Sequence, residues 1–428
     1  MASHNELGAA EAARAIRDKK LSAEALVQSC LDRIAQRESV VGAWTHLDRD
    51  GALAAARRVD RGEVASPLAG VPIGVKDLID TVDMPTGYGS PIYSGHRPGW
   101  DAACVALVRR AGGIVLGKTV TTEFAVFFPG KTAHPLNPKH TPGGSSSGSA
   151  AAVGDRMVPI AFGTQTAASV TRPSSFCGVV GYKPTFGAFS LAGIKSLSNS
   201  FDTLGTITRS VADTQLIRSV LLGASDVPAS PPARSGTLRI GLCRTPWWKE
   251  AQPATHEAVE KAAARFAKAG HKVSEATLPL EFDQLVETHK AIMAFEATRN
   301  LADEYARNAV QLSRQLATIL DQGAAMPFAG YRAALDRAEA ARRKMSGVFE
   351  NFDCLLAPSA PGEAPVGLGA TGDPVFSRMW TLLYVPSVTL PGHTGPQGLP
   401  VGVQIIAPQG EDDRMLAMAA QLEPLVKG

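Results

Sequence analysis

Between residues 6 and about 60, apolar positions recur at helical spacing. Ser22 stands as an N-cap before AEALVQSCLDRIAQRES, and GALAAARRVDRGE keeps Ala, Leu and Val on one face. This predicts a helical layer. Residues 67–80, PLAGVPIGVKDLID, switch to a continuous apolar run that reads as a strand carrying a single lysine, Lys76. Residues 101–113 return to helical spacing, 114–119 read as a β-branched strand, 150–153 as a short apolar helix and 157–162 as a buried strand. Residues 198–205 read as a polar loop and 210–222 as an amphipathic helix. Residues 224–236, ASDVPASPPARSG, have the composition of a linker.

Beyond the linker, a strand at 238–242, a helix at 256–269 ended by Gly270 and a strand starting at Lys272 form a β-α-β unit, hence parallel pairing with a right-handed crossover. Residues 281–350 are almost wholly helical by their Ala/Leu spacing, 354–357 and 401–406 are apolar strands, and 412–426 close with a helix. The succession predicts one α/β domain over residues 1–428, a mixed β-sheet core sandwiched by helices. Within it the helical layer runs to about residue 62, a core from about 63 to 222 and a C-terminal α/β part from about 237 onward.

Composition narrows the class. At 428 residues, with 45% hydrophobic and 19% charged content, the chain can bury one large or two medium cores. A net charge of +3, with no basic run interleaved with aromatics, argues against nucleic acid as a partner. No run of 18 or more apolar residues occurs and the first residues lack an apolar core, so no membrane partner and a cytoplasmic location are expected. Five cysteines, at 30, 104, 177, 243 and 354, are odd in number and lack C-x-x-C spacing, which points to neither a disulfide framework nor a zinc site.

Two motifs are false leads. Residues 112–119, GGIVLGKT, satisfy the phosphate-loop pattern, but that loop must follow a strand and open a helix, whereas here a helix precedes and the intervening residues are β-branched. Residues 144–148, GSSSG, match the nucleophile elbow around Ser146. Two prolines, Pro138 and Pro142, stand where its strand should run.

The chemistry concentrates in residues 141–186. Gly143 to Ser149 form a turn-prone run whose backbone can approach a ligand closely. On composition alone it reads as a solvated linker, yet a helix, a buried strand and a second hydroxyl cluster, GTQTAAS, follow at once. That cluster puts Ser169 just after unencumbered backbone N–H groups, as an oxyanion-binding turn requires.

GGSSSGSAAAV followed by GTQT-x-x-S-V-x-R-P and F-C-G-x-x-x-x-K-P resembles the amidase signature family, and the likeness runs, with gaps, from about residue 20 to the C-terminus. Within the family this core, together with TGDP at 371–374 and Trp380-Thr381, is most similar to bacterial malonamidases. The resemblance implies carboxamide hydrolysis by a Ser–Ser–Lys triad: Ser169 as nucleophile, Ser145, after a cis peptide bond, as bridging serine, and Lys76 as base. It implies an oxyanion hole of backbone N–H groups at Thr166, Ala167, Ala168 and Ser169, no cofactor or metal, and a small-molecule amide as partner. It also leaves room for a homodimer.

A buried Lys76 would have its pKa depressed, freeing a neutral amine; otherwise it points to solvent at a strand end. None of the nine histidines lies in the two hydroxyl turns, although His134 or His140 could approach in space. Two departures from the family pattern bear on function. Ala167-Ala168 replaces a common Gly-Gly, which preserves the oxyanion hole provided neither position needs a positive φ. Arg172 stands three residues after the nucleophile rather than two, as in malonamidase-like members, and a fork-shaped cation there suggests a carboxylate-bearing, malonamate-like substrate; a structural ion pair is the alternative. Pro173 is expected to hold Arg172 in extended backbone. The other reading of the chain is a glutaminase component of an amidotransferase, active only within a complex.

Overall fold

Runs of β-branched and small residues supply eleven strands that join in one sheet: β1 (Trp44–Leu47), β2 (Pro72–Lys76), β3 (Ile114–Thr119), β4 (Ile160–Gln165), β5 (Val180–Lys183), β6 (Thr203–Thr208), β7 (Arg239–Leu242), β8 (Lys272–Glu275), β9 (Cys354–Pro358), β10 (Ser387–Thr394) and β11 (Pro400–Ile406). The computed structural model describes residues 3–64, 67–223 and 236–427, so the expected linker lies, apart from Gly236, outside the described residues. Across the sheet the order is β1-β3-β2-β4-β6-β5-β10-β11-β9-β7-β8. β2 is parallel to β3 and β4, and β7 to β8 and β9; the strands between, from β4 through β6, β5, β10 and β11 to β9, pair antiparallel.

Strands covered on both faces read as continuous apolar runs, and β9 shows why. Cys354 and Leu356 pack with Val259 and Phe266 of the helix Pro253–Lys268, whereas Leu355 and Ala357 pack with Ile292 and Met345 of the helices Leu285–Asn300 and Phe328–Val348. Helices therefore cover both sides of the mixed sheet, as expected. Leu356 is wholly buried, and Leu356→Ala should cost about 2 to 5 kcal/mol. Urea melts with an unchanged slope would register this; a loss below about 1 kcal/mol would mean that the surroundings collapse into the gap.

Several elements match their sequence signals. Ser22 Oγ accepts from the Ala25 N–H at 3.1 Å as N-cap of Ala23–Val41. β7, the helix Pro253–Lys268 and β8 form the expected parallel β-α-β unit. The phosphate-loop lookalike is helix, turn and strand: residues 114–119 are β3, and Lys118 Nζ donates to the Ile79 carbonyl and Thr86 Oγ1, each at 2.6 Å.

Others differ. The strand expected at 157–162 starts at Ile160 and continues to Gln165, because Met157 still caps the preceding helix through a bond to the Ala152 carbonyl. The expected loop at 198–205 turns into β6 at Thr203; its threonines look polar in sequence, but every residue of β6 is buried between β4 and β5. Arg172 is not extended: it lies in the helix Thr171–Cys177, where Pro173 falls in the first turn and its missing N–H leaves no bond unmade. β1, β5, β10 and the helix Val375–Leu382 carried too little periodicity to be singled out.

Candidate functional site

The parallel strands β2 and β3 end level at Lys76 and Thr119 while β4 runs on past them to Gln165, and crevices beyond the carboxyl ends of such strands are where α/β sheets hold ligands. Lys76 is wholly buried. Pairing of Val75 with Phe162 carries the end of β2 alongside Thr164, so that Lys76 Nζ lies 2.7 Å from Thr164 Oγ1 and 2.7 Å from Ser145 Oγ. Burial disfavours the ammonium and pulls the lysine pKa down to about 7, against an opposing pull from Asp202. The solvent-facing alternative for Lys76 is thereby excluded.

Ser145 arrives on the glycine turn. Gly143 has a φ of +81°, and a Cβ there would stand 2.9 Å from Pro173 Cα; at Gly144 a Cβ would meet Thr371 Cγ2 at 2.8 Å. Both close approaches need glycine. The Gly144–Ser145 peptide bond is cis, as the resemblance implied. Ser146, the would-be elbow nucleophile, is buried with its hydroxyl 3.3 Å from the Thr164 N–H, and its own N–H donates to the Ser169 carbonyl at 3.3 Å. That last bond brings the glycine turn against the second turn.

The second turn runs from the end of β4 to the helix Thr171–Cys177. Gln165 Oε1 accepts from the Val170 and Thr171 N–H groups at 3.0 and 3.1 Å, curling the chain back on itself. Thr166 Oγ1 donates to Asp202 Oδ1 at 2.6 Å, and Asp202 Oδ2 in turn accepts from the Leu197 and Ser198 N–H groups. Burial raises the Asp202 pKa, against these donors. The backbone N–H groups of Thr166, Ala167, Ala168 and Ser169 donate to no protein acceptor among the described residues. Neither Ala167 nor Ala168 has a positive φ, so alanine meets the backbone demand at both positions.

Ser145, Ser169, Arg172 and residues 166–168 line one narrow cavity, about 360 Å³ of atom-free space counted out to its mouth, closed by Phe127, Leu197, Met293 and Thr371. Lys76 stands behind Ser145. Arg172 is 2% exposed. Its guanidinium donates to the Gly372 carbonyl at 2.5 Å, the Gly144 carbonyl at 2.6 Å and Thr371 Oγ1 at 3.1 Å, while Nε is buried without a partner among the described residues. No carboxylate pairs with it within ion-pair distance among the described residues, and burial together with the like charge of Arg378 lowers its pKa against the longer-range attraction of Asp373. The structural ion pair considered as an alternative is therefore not what Arg172 makes.

The histidines that could have competed are engaged elsewhere. His134 Nε2 bonds the Phe176 carbonyl and His140 Nδ1 the Ala364 carbonyl, and neither lines the cavity. Sequence reasoning missed His289 and Arg378 and noted Thr381 only as part of the resemblance; His289 and Thr381 touch the second turn from behind, and Arg378 backs His289. The available signal was a lone histidine between Val286 and Ile292 in an apolar helix.

The sequence model of the family described as Amidase matches residues 25–416. A glutamyl-tRNA(Gln) amidotransferase component from Salinispora arenicola, the A chain of that enzyme, is 34% identical, over 98% of this chain and 97% of its own. A chain of the inhibitor-bound protein complex that reveals the evolutionary origins of an s-triazine catabolic enzyme superposes with a TM-score of 0.89 at 27% identity, covering 97% of this chain and 98% of its own. The native peptide amidase of Stenotrophomonas maltophilia superposes with a TM-score of 0.81 at 28% identity, covering 99% and 97%. No helix among the described residues is long and apolar enough to cross a membrane.

Proposed function

The chain belongs to the amidase family, and on that premise we propose that it hydrolyses the carboxamide of a small, carboxylate-bearing, malonamate-like substrate to acid and ammonia through an acyl-enzyme on Ser169. The observation that carries this reading is the contact of a fully buried Lys76 with Ser145 beside the cavity that Ser169 lines. A neutral amine has two N–H groups and one lone pair. With one N–H directed at Thr164, the lone pair is free to accept the Ser145 proton as Ser145 accepts that of Ser169.

Ser169 Oγ then bonds to the amide carbon, and the carbonyl oxygen takes up negative charge against the free N–H groups of residues 166–169. Collapse breaks the C–N bond while Lys76 returns its proton through Ser145 to the leaving nitrogen, and ammonia departs. Water repeats the sequence and releases the acid. Arg172, which lines the cavity and has no carboxylate partner within ion-pair distance among the described residues, supports a substrate carboxylate as the counter-charge.

A second reading, a component of an amidotransferase complex, is favoured by the likeness to the Salinispora protein over nearly the whole of both chains. Ammonia release from malonamate, propionamide and L-glutamine by the isolated chain separates the two. Turnover of malonamate supports the first; turnover of glutamine only with a partner protein present supports the second.

The lysine also sets a pH profile. Below about pH 7 Lys76 is protonated and accepts nothing, so kcat/KM should rise about tenfold per unit up to there and flatten above. A rate flat from about pH 5 to 9, or still climbing past about pH 10, the ordinary lysine range, would remove Lys76 as the base.

A further inference from the structure

A free N–H can stabilise a developing oxyanion only if its peptide plane is held in place, and the carbonyl at the other end of that plane is where a hold can be applied. The Thr166 carbonyl shares its peptide group with the Ala167 N–H, and the Ala167 carbonyl shares its own with the Ala168 N–H. Both carbonyls are gripped from outside the cavity. Thr381 Oγ1 donates to the Ala167 carbonyl at 2.9 Å and accepts from Gln165 Nε2 at 3.1 Å. His289 Nε2 lies 2.7 Å from the Thr166 carbonyl oxygen, and Arg378 donates from Nη1 to His289 Nδ1 at 2.9 Å. Because guanidinium only donates and a carbonyl only accepts, the imidazole must be the neutral tautomer that carries its proton on Nε2.

His289 is wholly buried, and its ring stacks on Phe201 with centroids 4.3 Å apart and planes 8° from parallel. Burial, with the charge of Arg378, drives its pKa well below the ordinary range, in keeping with the neutral tautomer that its two bonds require. Arg378 is itself 4% exposed and has no ion pair within 4 Å among the described residues; its guanidinium lies 5.8 Å from the ring of Phe127, which lines the cavity. Asp373 and Glu287 attract its charge from beyond ion-pair distance, so among the described residues no carboxylate bonds the guanidinium directly and His289 is the side chain it donates to. Here the charge polarises the imidazole, the imidazole polarises the Thr166 carbonyl, and the Ala167 N–H becomes a stronger donor, since hydrogen bonds in a chain reinforce one another.

We infer that His289, backed by Arg378, is a positioning residue for amide hydrolysis: it fixes and polarises the peptide whose N–H faces the nascent oxyanion. This rests on the reading of the cavity as the hydrolytic site. It differs from that reading in its test, which needs no knowledge of the substrate. A small alkyl fluorophosphonate phosphonylates Ser169 as fluoride leaves and the serine proton passes to Lys76, and negative charge grows on the phosphoryl oxygen at the same N–H groups.

The second-order labelling rate is measured for the wild type, His289→Phe, His289→Gln and Arg378→Met. His289→Phe keeps the stacking surface but drops both bonds, and should label roughly 10- to 100-fold more slowly, a little less than removal of an oxyanion donor itself costs. His289→Gln can still donate to Thr166 and accept from Arg378, and should stay within about threefold of wild type. On whichever amide the wild type turns over, His289→Phe should lose kcat by a similar factor while KM moves by less than about threefold.

His289→Phe labelling at the wild-type rate overturns the proposal, as does His289→Gln labelling as slowly as His289→Phe. If His289→Phe does not melt cooperatively, Arg378→Met decides, because it leaves the Thr166 bond in place and removes only the charge; an unchanged rate there is equally fatal. A wild type that labels on Ser169 yet frees ammonia from no amide ends the functional reading and leaves this one to the labelling rates.

Discussion

Ser169→Ala is expected to release no ammonia from any amide that the wild type hydrolyses, and to form no acyl-enzyme detectable by intact mass. The side chain lost is one hydroxyl at a position 7% exposed, so the variant should melt within a degree or two of the wild type and the loss is chemical. The two supporting residues can be separated from folding as well. Lys76→Met replaces a buried amine with an apolar chain of similar length, which spares the cost of an unpaired buried charge and should leave stability unchanged or higher. Its kcat should nevertheless fall by about a thousandfold or more, as when one member of a cooperating triad is removed.

Ser145→Ala breaks the contact between Lys76 and the cavity and should cost kcat by on the order of 10² to 10⁴, the range of a lost proton-transfer step. Because relay residues act as a unit, the double variant of Lys76→Met with Ser145→Ala should be scarcely slower than the worse single. Losses that multiply in the double variant would show two independent roles and dismantle the relay. Ammonia release by Ser169→Ala at the wild-type rate would dismantle the assignment of the nucleophile.

Much of this was legible in the chain, and the parts that were not share a cause. Apolar runs covered on both faces, such as residues 114–119 and 401–406, are visible because burial on both sides disfavours polar residues and admits only hydrogen-bonded ones such as Lys118 and Gln404. Lys76 stood out against such a run. The glycines at 143 and 144 were visible as a close approach of backbone, although what they approach, Pro173 and Thr371, is distant in sequence. The triad assignments, by contrast, came from resemblance; composition and spacing alone left Ser169 without a base.

What stayed hidden are elements whose polarity is satisfied by partners far along the chain. β6 looks like a loop because its threonines are polar, and it is a strand because β4 and β5 take up its backbone. Arg172 was expected to be extended from a local rule about the residue before proline; the first turn of a helix relaxes that rule, and Gln165 Oε1 holds the turn that starts the helix. His289 and Arg378 lie more than 100 and 200 residues after Ser169, and no periodicity connects a helix at 285–300 with the carbonyl of residue 166.

Arg172→Ala should separate substrates by charge. Two of its bonds hold the Gly144 and Gly372 carbonyls, so its removal loosens the turn that carries Ser145, and some activity should be lost on every amide. A substrate carboxylate against the Arg172 guanidinium, which lines the cavity, would add a charge-assisted bond of about 1.5 to 3 kcal/mol, which is roughly 10- to 150-fold in rate. The ratio of kcat/KM for malonamate to that for propionamide is therefore the informative quantity, because the shared structural loss cancels in it. That ratio should fall by about 10- to 100-fold in Arg172→Ala. Arg172→Lys can still reach a carbonyl and supply a charge, but a point charge cannot hold two carbonyls and a carboxylate at once, so it should recover only part of the ratio. A malonamate carboxylate sits one carbon from the scissile amide, close enough for Ser169 and Arg172, which line the same cavity, to engage the two ends together. If both amides lose activity equally, Arg172 serves only to hold Gly144 and Gly372, and the preference for a carboxylate-bearing amide falls with it.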